Sequence, residues 1–333
     1  MRTDELRGHS FACIEECGFC CTFTPEVEEA ELQRLRRGFP ALPVVRADDR
    51  VHLAFQGGCG ACTLLKARRC TAYEERPAHC RYFPFHVYFG EEAEAVVNYT
   101  CRGVARDPAS DLRPTFERDV LGVAPRAKLL ESERQGRRVH AEFERNAREA
   151  GAWGDVRAGA ERALAGGPRL FDGPADRDDV WDGALLPFEE KEVVARPFHL
   201  TKDLRWLTFR LDGDLEVLEL DETGRLDATT TLQLPATWTR PPPTALPGLV
   251  AELGRLARRG VFAGSVFEHV HDVDYEATVE EAARSRLEEM AADLAVRSAI
   301  LERLGIPPTS LADEAARFYD SAFLDTPTVG GWL

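Results

Sequence analysis

Residues 13–21 read Cys13-Ile14-Glu15-Glu16-Cys17-Gly18-Phe19-Cys20-Cys21. Four thiols within nine residues require a chain that turns back on itself. Gly18, between two of them, suits the positive φ that such a turn needs. A chain wrapped this way brings sulfurs toward one centre and turns backbone N–H groups inward, where they offset negative charge. Five more cysteines follow, Cys59, Cys62, Cys70, Cys80 and Cys101, and the 232 residues after Cys101 have none. Single cysteines are often small buried hydrophobes. Thiols at this density, including an adjacent pair, are there to hold something: a metal, an iron–sulfur cluster or disulfides.

The N-terminus, Met1 to Arg7, has no apolar core of the kind a secretory signal carries. No run approaches 18 consecutive apolar residues, so no membrane span is expected. The expectation is a cytoplasmic protein, where thiols stay reduced. That compartment and the odd count of nine cysteines both argue against disulfides. The net charge of −15 is concentrated behind the cysteines. Residues 1–110 carry 14 basic against 16 acidic side chains, whereas residues 111–333 carry 28 against 41. An acidic surface repels phosphate backbones, so nucleic acid is excluded as a partner and a protein partner or protein substrate is expected.

The pattern gives an α+β chain: an irregular cysteine-rich metal-binding domain over residues 1–110, then a helix-plus-antiparallel-strand body over residues 111–333. In the first, a helix is expected from Pro25 to Arg37, with Thr24 as N-cap and Gly38 as its stop. Strands are expected within Val44–Phe55 and Phe85–Tyr99. In the second, residues 111–165 read as helical, with Leu129, Val139 and Phe143 on one face. Gly166–Asp182 reads as a loop. Strand-and-turn signals follow at Trp206–Leu211, Leu215–Leu220 and Ala228–Leu234. Pro241-Pro242-Pro243 is a stiff break, and helices at Pro247–Arg259 and Thr278–Leu304 close the chain.

Beyond the first motif stand Cys62-Thr63-Leu64-Leu65, then Cys70-Thr71-Ala72-Tyr73-Glu74-Glu75-Arg76-Pro77-Ala78-His79-Cys80-Arg81-Tyr82-Phe83-Pro84, then Cys101. With Phe11-Ala12-Cys13 and Cys17-Gly18-x-Cys20-Cys21, this order over about residues 9–105 resembles the YkgJ-type cysteine-cluster proteins. That resemblance implies a zinc- or iron-chelating domain, sometimes described as an iron–sulfur protein. A related module occurs in flagellin lysine N-methylases. The pattern takes one cysteine before the Leu-Leu segment, which Cys62 supplies; Cys59 is additional and reads as a surface turn between glycines. The resemblance thus implies eight ligands, Cys13, Cys17, Cys20, Cys21, Cys62, Cys70, Cys80 and Cys101, an even set divisible into two groups of four.

Structural zinc favours paired Cys-x2-Cys knuckles, and only Cys17/Cys20 and Cys59/Cys62 have that spacing. Adjacent sulfurs such as Cys20 and Cys21 chelate one tetrahedral ion awkwardly and suit a cluster with separated irons or ligation of two different centres. An all-thiolate set fits an iron–sulfur cluster, with zinc as the alternative. Arg76 and Arg81 are candidates to lie against the cofactor and offset thiolate charge; read blandly, they are a helix-end residue and a surface ion-pair partner. Tyr82, Phe83, Phe85, Tyr88 and Phe89 read as core. His79 and His86 could replace a thiolate, but core positions suit them better. His269, His271, Asp272 and Asp274 read as a polar loop with Asp274 or Thr278 as a cap. Trp332 reads as part of a tail packed on its own domain.

Three functional classes follow: a redox or electron-transfer protein, a structural zinc adaptor, and, through the methylase resemblance, a protein-modifying enzyme. No methyl-donor signature occurs in residues 111–333, and no catalytic residue is assigned.

Overall fold

The computed structural model describes residues 1–23, 25–47, 50–58, 60–173, 199–212, 214–233, 240–320 and 328–332. The fold is mixed α+β, with small antiparallel sheets around the cysteines and a mostly helical body. Strand β1 (Arg7–Phe11) leads into the first cysteine motif. Helix α1 (Glu29–Gly38) starts four residues later than the Pro25 start expected from sequence. Pro25 and Val27 are instead extended and bond the backbone of Leu53 and Val51. The helix is capped by a reciprocal pair, Glu28 and Glu31, and the proposed cap Thr24 lies outside the described residues. Strands β2 (Val44–Ala47) and β3 (Arg50–Leu53) form a hairpin under α1, around Leu32, Leu35, Val51 and Leu53.

A second, minimal hairpin joins β4 (Leu65–Lys66) to β5 (Arg69–Cys70). Its two turn residues, Ala67 and Arg68, both have positive φ, at 47° and 57°. This is the backbone of a type I′ turn, made here without glycine or asparagine. The short helix α2 (Ala78–Tyr82) follows, then β6 (Phe85–Phe89) and β7 (Ala93–Val97), paired from Phe85↔Val97 to Phe89↔Ala93. The apolar run from Phe85 to Tyr99 is therefore a hairpin buried on both faces. Phe85, Val87 and Phe89 pack with Leu6 and Phe116, while Tyr88 and Val96 join the body's core. Strands buried on both faces read as continuous apolar runs. Strand β8 (Val104–Asp111) returns to pair with β1.

The body opens with α3 (Arg113–Phe116) and the long α4 (Arg126–Ala150). Helix α4 turns Leu129, Val139 and Phe143 toward the apolar clusters, as its periodicity predicts. It crosses β6 at Gly136, where a Cβ would come within 2.5 Å of the Phe89 carbonyl oxygen. Helix α5 (Val156–Leu164) is capped by Asp155. The expected loop Gly166–Asp182 begins with a short 3-10 turn at Gly167–Phe171, and residues 174–182 lie outside the described residues.

Strands β9 (His199–Leu200), β10 (Trp206–Asp212), β11 (Asp214–Leu220) and β12 (Leu226–Leu232) form one antiparallel sheet in the order β12-β11-β10-β9. Leu207, Phe209, Leu215 and Val217 face the body's core, whereas β12 is an exposed, polar edge. Helices α6 (Leu246–Leu256), α7 (Gly260–Asp272), α8 (Val279–Arg303) and α9 (Leu311–Asp320) complete the body. Helix α8 starts at a Thr278/Glu281 capping box and is buried continuously from Leu294 to Leu301. A helix covered on all sides carries little amphipathic signal. His269 and His271 lie within α7, not in the polar loop read from sequence, and two positions apart they diverge around the helix.

The last strand, β13 (Gly331–Trp332), belongs to a tail that packs on its own body as expected, with Val329 and Trp332 against the body's core. It pairs with β6, Trp332 opposite Tyr88, so the end of the chain packs on the cysteine-bearing segment. A buried ion network also crosses residue 110. Glu5 bonds Arg255 (2.9 Å) and Arg259 (Nε, 2.8 Å), and both arginines reach Asp320 at 3.3 and 3.2 Å. Asp320 accepts the Tyr99 N–H at 2.8 Å. Among the described residues, no helix is long and apolar enough to cross a membrane.

Candidate metal centre

The cysteines reach the centre on several separate pieces of backbone. Cys13 follows β1; Cys17 precedes Gly18, whose φ of 61° makes the turn the motif requires. A 3-10 turn, Phe19–Thr22, carries Cys20 and Cys21. Cys62 lies buried where its N–H meets the Cys21 carbonyl at 2.8 Å. Cys70 ends β5, Cys80 rides on α2, and Cys101 sits in the turn before β8. All eight line one pocket together with Phe11, Ile14, Phe19, Tyr73 and Phe83. Among the described residues, no histidine, aspartate or glutamate lines it, and the charged side chain in its wall is Arg76. Cys59 lies outside the described residues.

The thiols interlock across the two sequence groups. Interaction with the neighbouring Cys21 thiol lowers the pKa of Cys20 and brings Cys70 down to about 7. The same interactions push Cys21 well up. Burial raises Cys17 and Cys62 to about 11 and lifts Cys13, Cys80 and Cys101 as well. The charge on Cys20 adds to the upward push on all five, so each lies within electrostatic reach of it. The division into a 13–21 set and a 62–101 set is therefore sequential, not spatial.

Arg76 lines the pocket and draws down the pKa values of Cys13, Cys20, Cys70 and Cys80 against other influences. Its guanidinium lies 4.0 Å over the Tyr73 ring and donates to the Tyr73 carbonyl at 2.9 Å. Arg81 does not line the pocket. It donates to the carbonyls of Arg76 (3.2 Å) and Glu74 (3.1 Å), bracing the loop that carries Arg76. His79 and His86 are also outside it: His79 faces Glu26, Glu28 and Glu31, and His86 meets Asn98 at 3.3 Å.

Several supporting residues gave no signal in the sequence because they lie far along the chain. Trp206 donates its indole N–H to the Cys17 carbonyl at 3.1 Å, with Arg68 stacked on its ring at 4.6 Å. Arg317 on α9 donates to the carbonyls of Tyr99 and Cys101. Arg102, next to Cys101, forms a double hydrogen bond with Glu314 at 2.7 and 2.6 Å. The Gly57–Gly60 segment was expected to turn on the surface. Instead Gly60 is buried beneath the β11–β12 turn, and a Cβ there would lie 2.4 Å from the Thr223 carbonyl carbon.

As they stand, no three histidine, cysteine or carboxylate side chains among the described residues form a group that could hold a metal ion. The donor set nevertheless fits a soft metal: sulfur alone, in an apolar wall, with one guanidinium for charge. To ligate, these thiols would have to give up their protons, so binding a metal would release protons.

Residues 12–102 match the CxxCxxCC family. That family is described as "Putative zinc- or iron-chelating domain". The match takes in all eight pocket cysteines, and residues 103–333 fall outside it. No curated protein and no solved structure matches the chain. The CxxCxxCC match thus accounts for the sulfur pocket, while the residues that brace it from Trp206, Glu314 and Arg317 come from the unmatched body.

Proposed function

We propose that Cys13, Cys17, Cys20, Cys21, Cys62, Cys70, Cys80 and Cys101 ligate an iron–sulfur centre and that the protein is a cytoplasmic redox or electron-transfer component. The observation that carries this reading is that eight cysteines line one shared pocket with no histidine or carboxylate among its described lining residues. Eight thiols are twice what a structural zinc ion takes, and the Cys20–Cys21–Cys70 contacts join the sequence groups as a multi-iron centre would use them. Arg76 would offset the thiolate charge, with Arg81 holding its loop. Such a cofactor supplies one-electron chemistry; the chain supplies sulfur ligands, an apolar wall and an opening.

That opening supports a protein partner. Cys13 and Cys20 are exposed, and Ile14 and Tyr73 at the same pocket keep 37% and 41% of their surface. An exposed apolar rim beside a redox centre suits transient docking of another protein. The test is absorbance of the anaerobically purified full chain. A visible band that bleaches with dithionite and returns on reoxidation is expected. A colourless protein that holds stoichiometric zinc and unfolds with chelator would replace this reading with the structural zinc module.

A further inference from the structure

Among the described residues that line the sulfur pocket, the exposed ones are Cys13, Ile14, Cys20 and Tyr73. These four form its rim, and two of them are large and apolar. Tyr73 is held in place: its side chain interacts with the Cys13 thiol, and the Arg76 guanidinium lies 4.0 Å over its ring. A tyrosine fixed before contact loses little freedom on docking, which suits it to anchor an interface. The cavity behind the rim measures about 90 Å³, against about 300 Å³ for the smallest small-molecule sites. It leaves no room for an organic substrate, so what meets Ile14 and Tyr73 is another surface.

The charge beside these two residues is one-sided. Glu15 and Glu16 follow Ile14, and both reach a single guanidinium, Arg69, at 3.0 and 3.3 Å. Glu74 and Glu75 follow Tyr73, are exposed, and have no ion-pair partner among the described residues. Arg118, near Tyr73, is matched by Asp119 at 2.7 Å. Arg76 answers the thiols of the pocket. Ligation leaves cysteines as thiolates, which adds negative charge behind the rim.

We propose that this rim is the docking surface for a protein with a basic face around an apolar patch. This rests on the reading above that a protein partner meets the pocket at its opening. A second copy of the chain, with its net charge of −15, is repelled here. A basic partner gains twice. The whole charge draws it in at long range, and the four rim carboxylates orient it so that its apolar patch meets Ile14 and Tyr73. Transient encounters of this kind bury less than about 1,200 Å² and weaken as salt screens them.

Calorimetric titration of the anaerobically purified, metal-loaded full chain with oxidised cytochrome c, a basic protein, tests the surface; flavodoxin, an acidic protein, is the contrast. Cytochrome c should bind and flavodoxin should not. The affinity for cytochrome c should fall at least tenfold between about 10 mM and about 150 mM salt, where the Debye length shrinks from about 30 to about 8 Å. Glu15→Gln, Glu16→Gln, Glu74→Gln and Glu75→Gln together should weaken binding at least tenfold and leave metal content unchanged, since all four side chains are exposed. Asp272→Asn, Glu276→Gln, Glu288→Gln and Glu302→Gln remove the same charge from exposed positions on α7, α8 and the turn between them, and should weaken it less than threefold. Equal weakening by the two sets, or no binding of cytochrome c, overturns the docking surface. Dithionite bleaching of the same sample reads the redox assignment separately. A bleachable centre without rim-dependent binding overturns the docking surface alone, and a colourless centre with rim-dependent binding overturns the redox reading alone.

Discussion

Arg317→Ala tests whether the helical body holds the Cys101 arm of the sulfur pocket. The guanidinium is nearly buried and donates to three carbonyls of one turn: Tyr99 at 3.0 Å, Cys101 at 3.1 Å and Val104 at 3.1 Å. Its Nε meets Asp313 at 3.0 Å, but that carboxylate is half exposed, so the pair itself contributes little. Hydrogen bonds to a charged group contribute about 1.5–3 kcal/mol each. The three share one donor group and the turn can relax, so the expected loss is about 3–5 kcal/mol, not their sum. Urea denaturation and metal content per chain are the assays. The variant should unfold at lower urea and lose metal, because Cys101 is freed from its position. Arg317→Lys, which keeps the charge but cannot span three carbonyls, should fall between. An alanine variant with the parent's midpoint and full metal would refute the claim that the body positions this ligand.

Gly60→Ala should cost about 1–3 kcal/mol and lower metal occupancy, because its Cβ meets the Thr223 backbone, which cannot swing aside like a flexible side chain; parent-like melting would contradict that packing. Acid should destabilise the fold in two stages. Burial holds His86 at about 3 and His199 well below its ordinary value, so their contribution is complete above pH 6.5 and declines as pH falls below it. Glu5, raised by burial but drawn down to about 2 by Arg259 and Arg255, adds a loss below pH 4.5; burial raises Glu94, which runs the other way. Urea midpoints that stay flat from pH 7 to pH 4 would contradict this. A chain begun at Ser110 should be poorly soluble, since it loses Tyr88 and Val96 from its core and leaves Arg255 and Arg259 without Glu5. A sharp melting transition for that piece would show that the body folds alone.

The cysteine motif, the strand meander and the α8 cap were legible because each rests on local chemistry. Thr278 and Glu281 stand three residues apart, and the turn at Asp221–Gly224 carries its own φ of 78° at Gly224. The start of α1 was misread because a glutamate, not Thr24, caps it, and because Pro25 and Val27 bond a distant hairpin. His269 and His271 looked like loop residues, since polar side chains at a helix end resemble a turn. For the site, the thiols and Arg76 could be read directly. Trp206, Glu314 and Arg317 could not, as their role depends on contacts more than 180 residues away in sequence.

The central claim is that one sulfur-only pocket holds the metal. X-ray absorption at the metal edge of the anaerobically purified full chain tests it most directly. The account predicts a first shell of sulfur alone, at about 2.3 Å for iron or zinc bound by thiolate. A shell containing nitrogen or oxygen from protein side chains, or a chain that binds no iron or zinc, would contradict it.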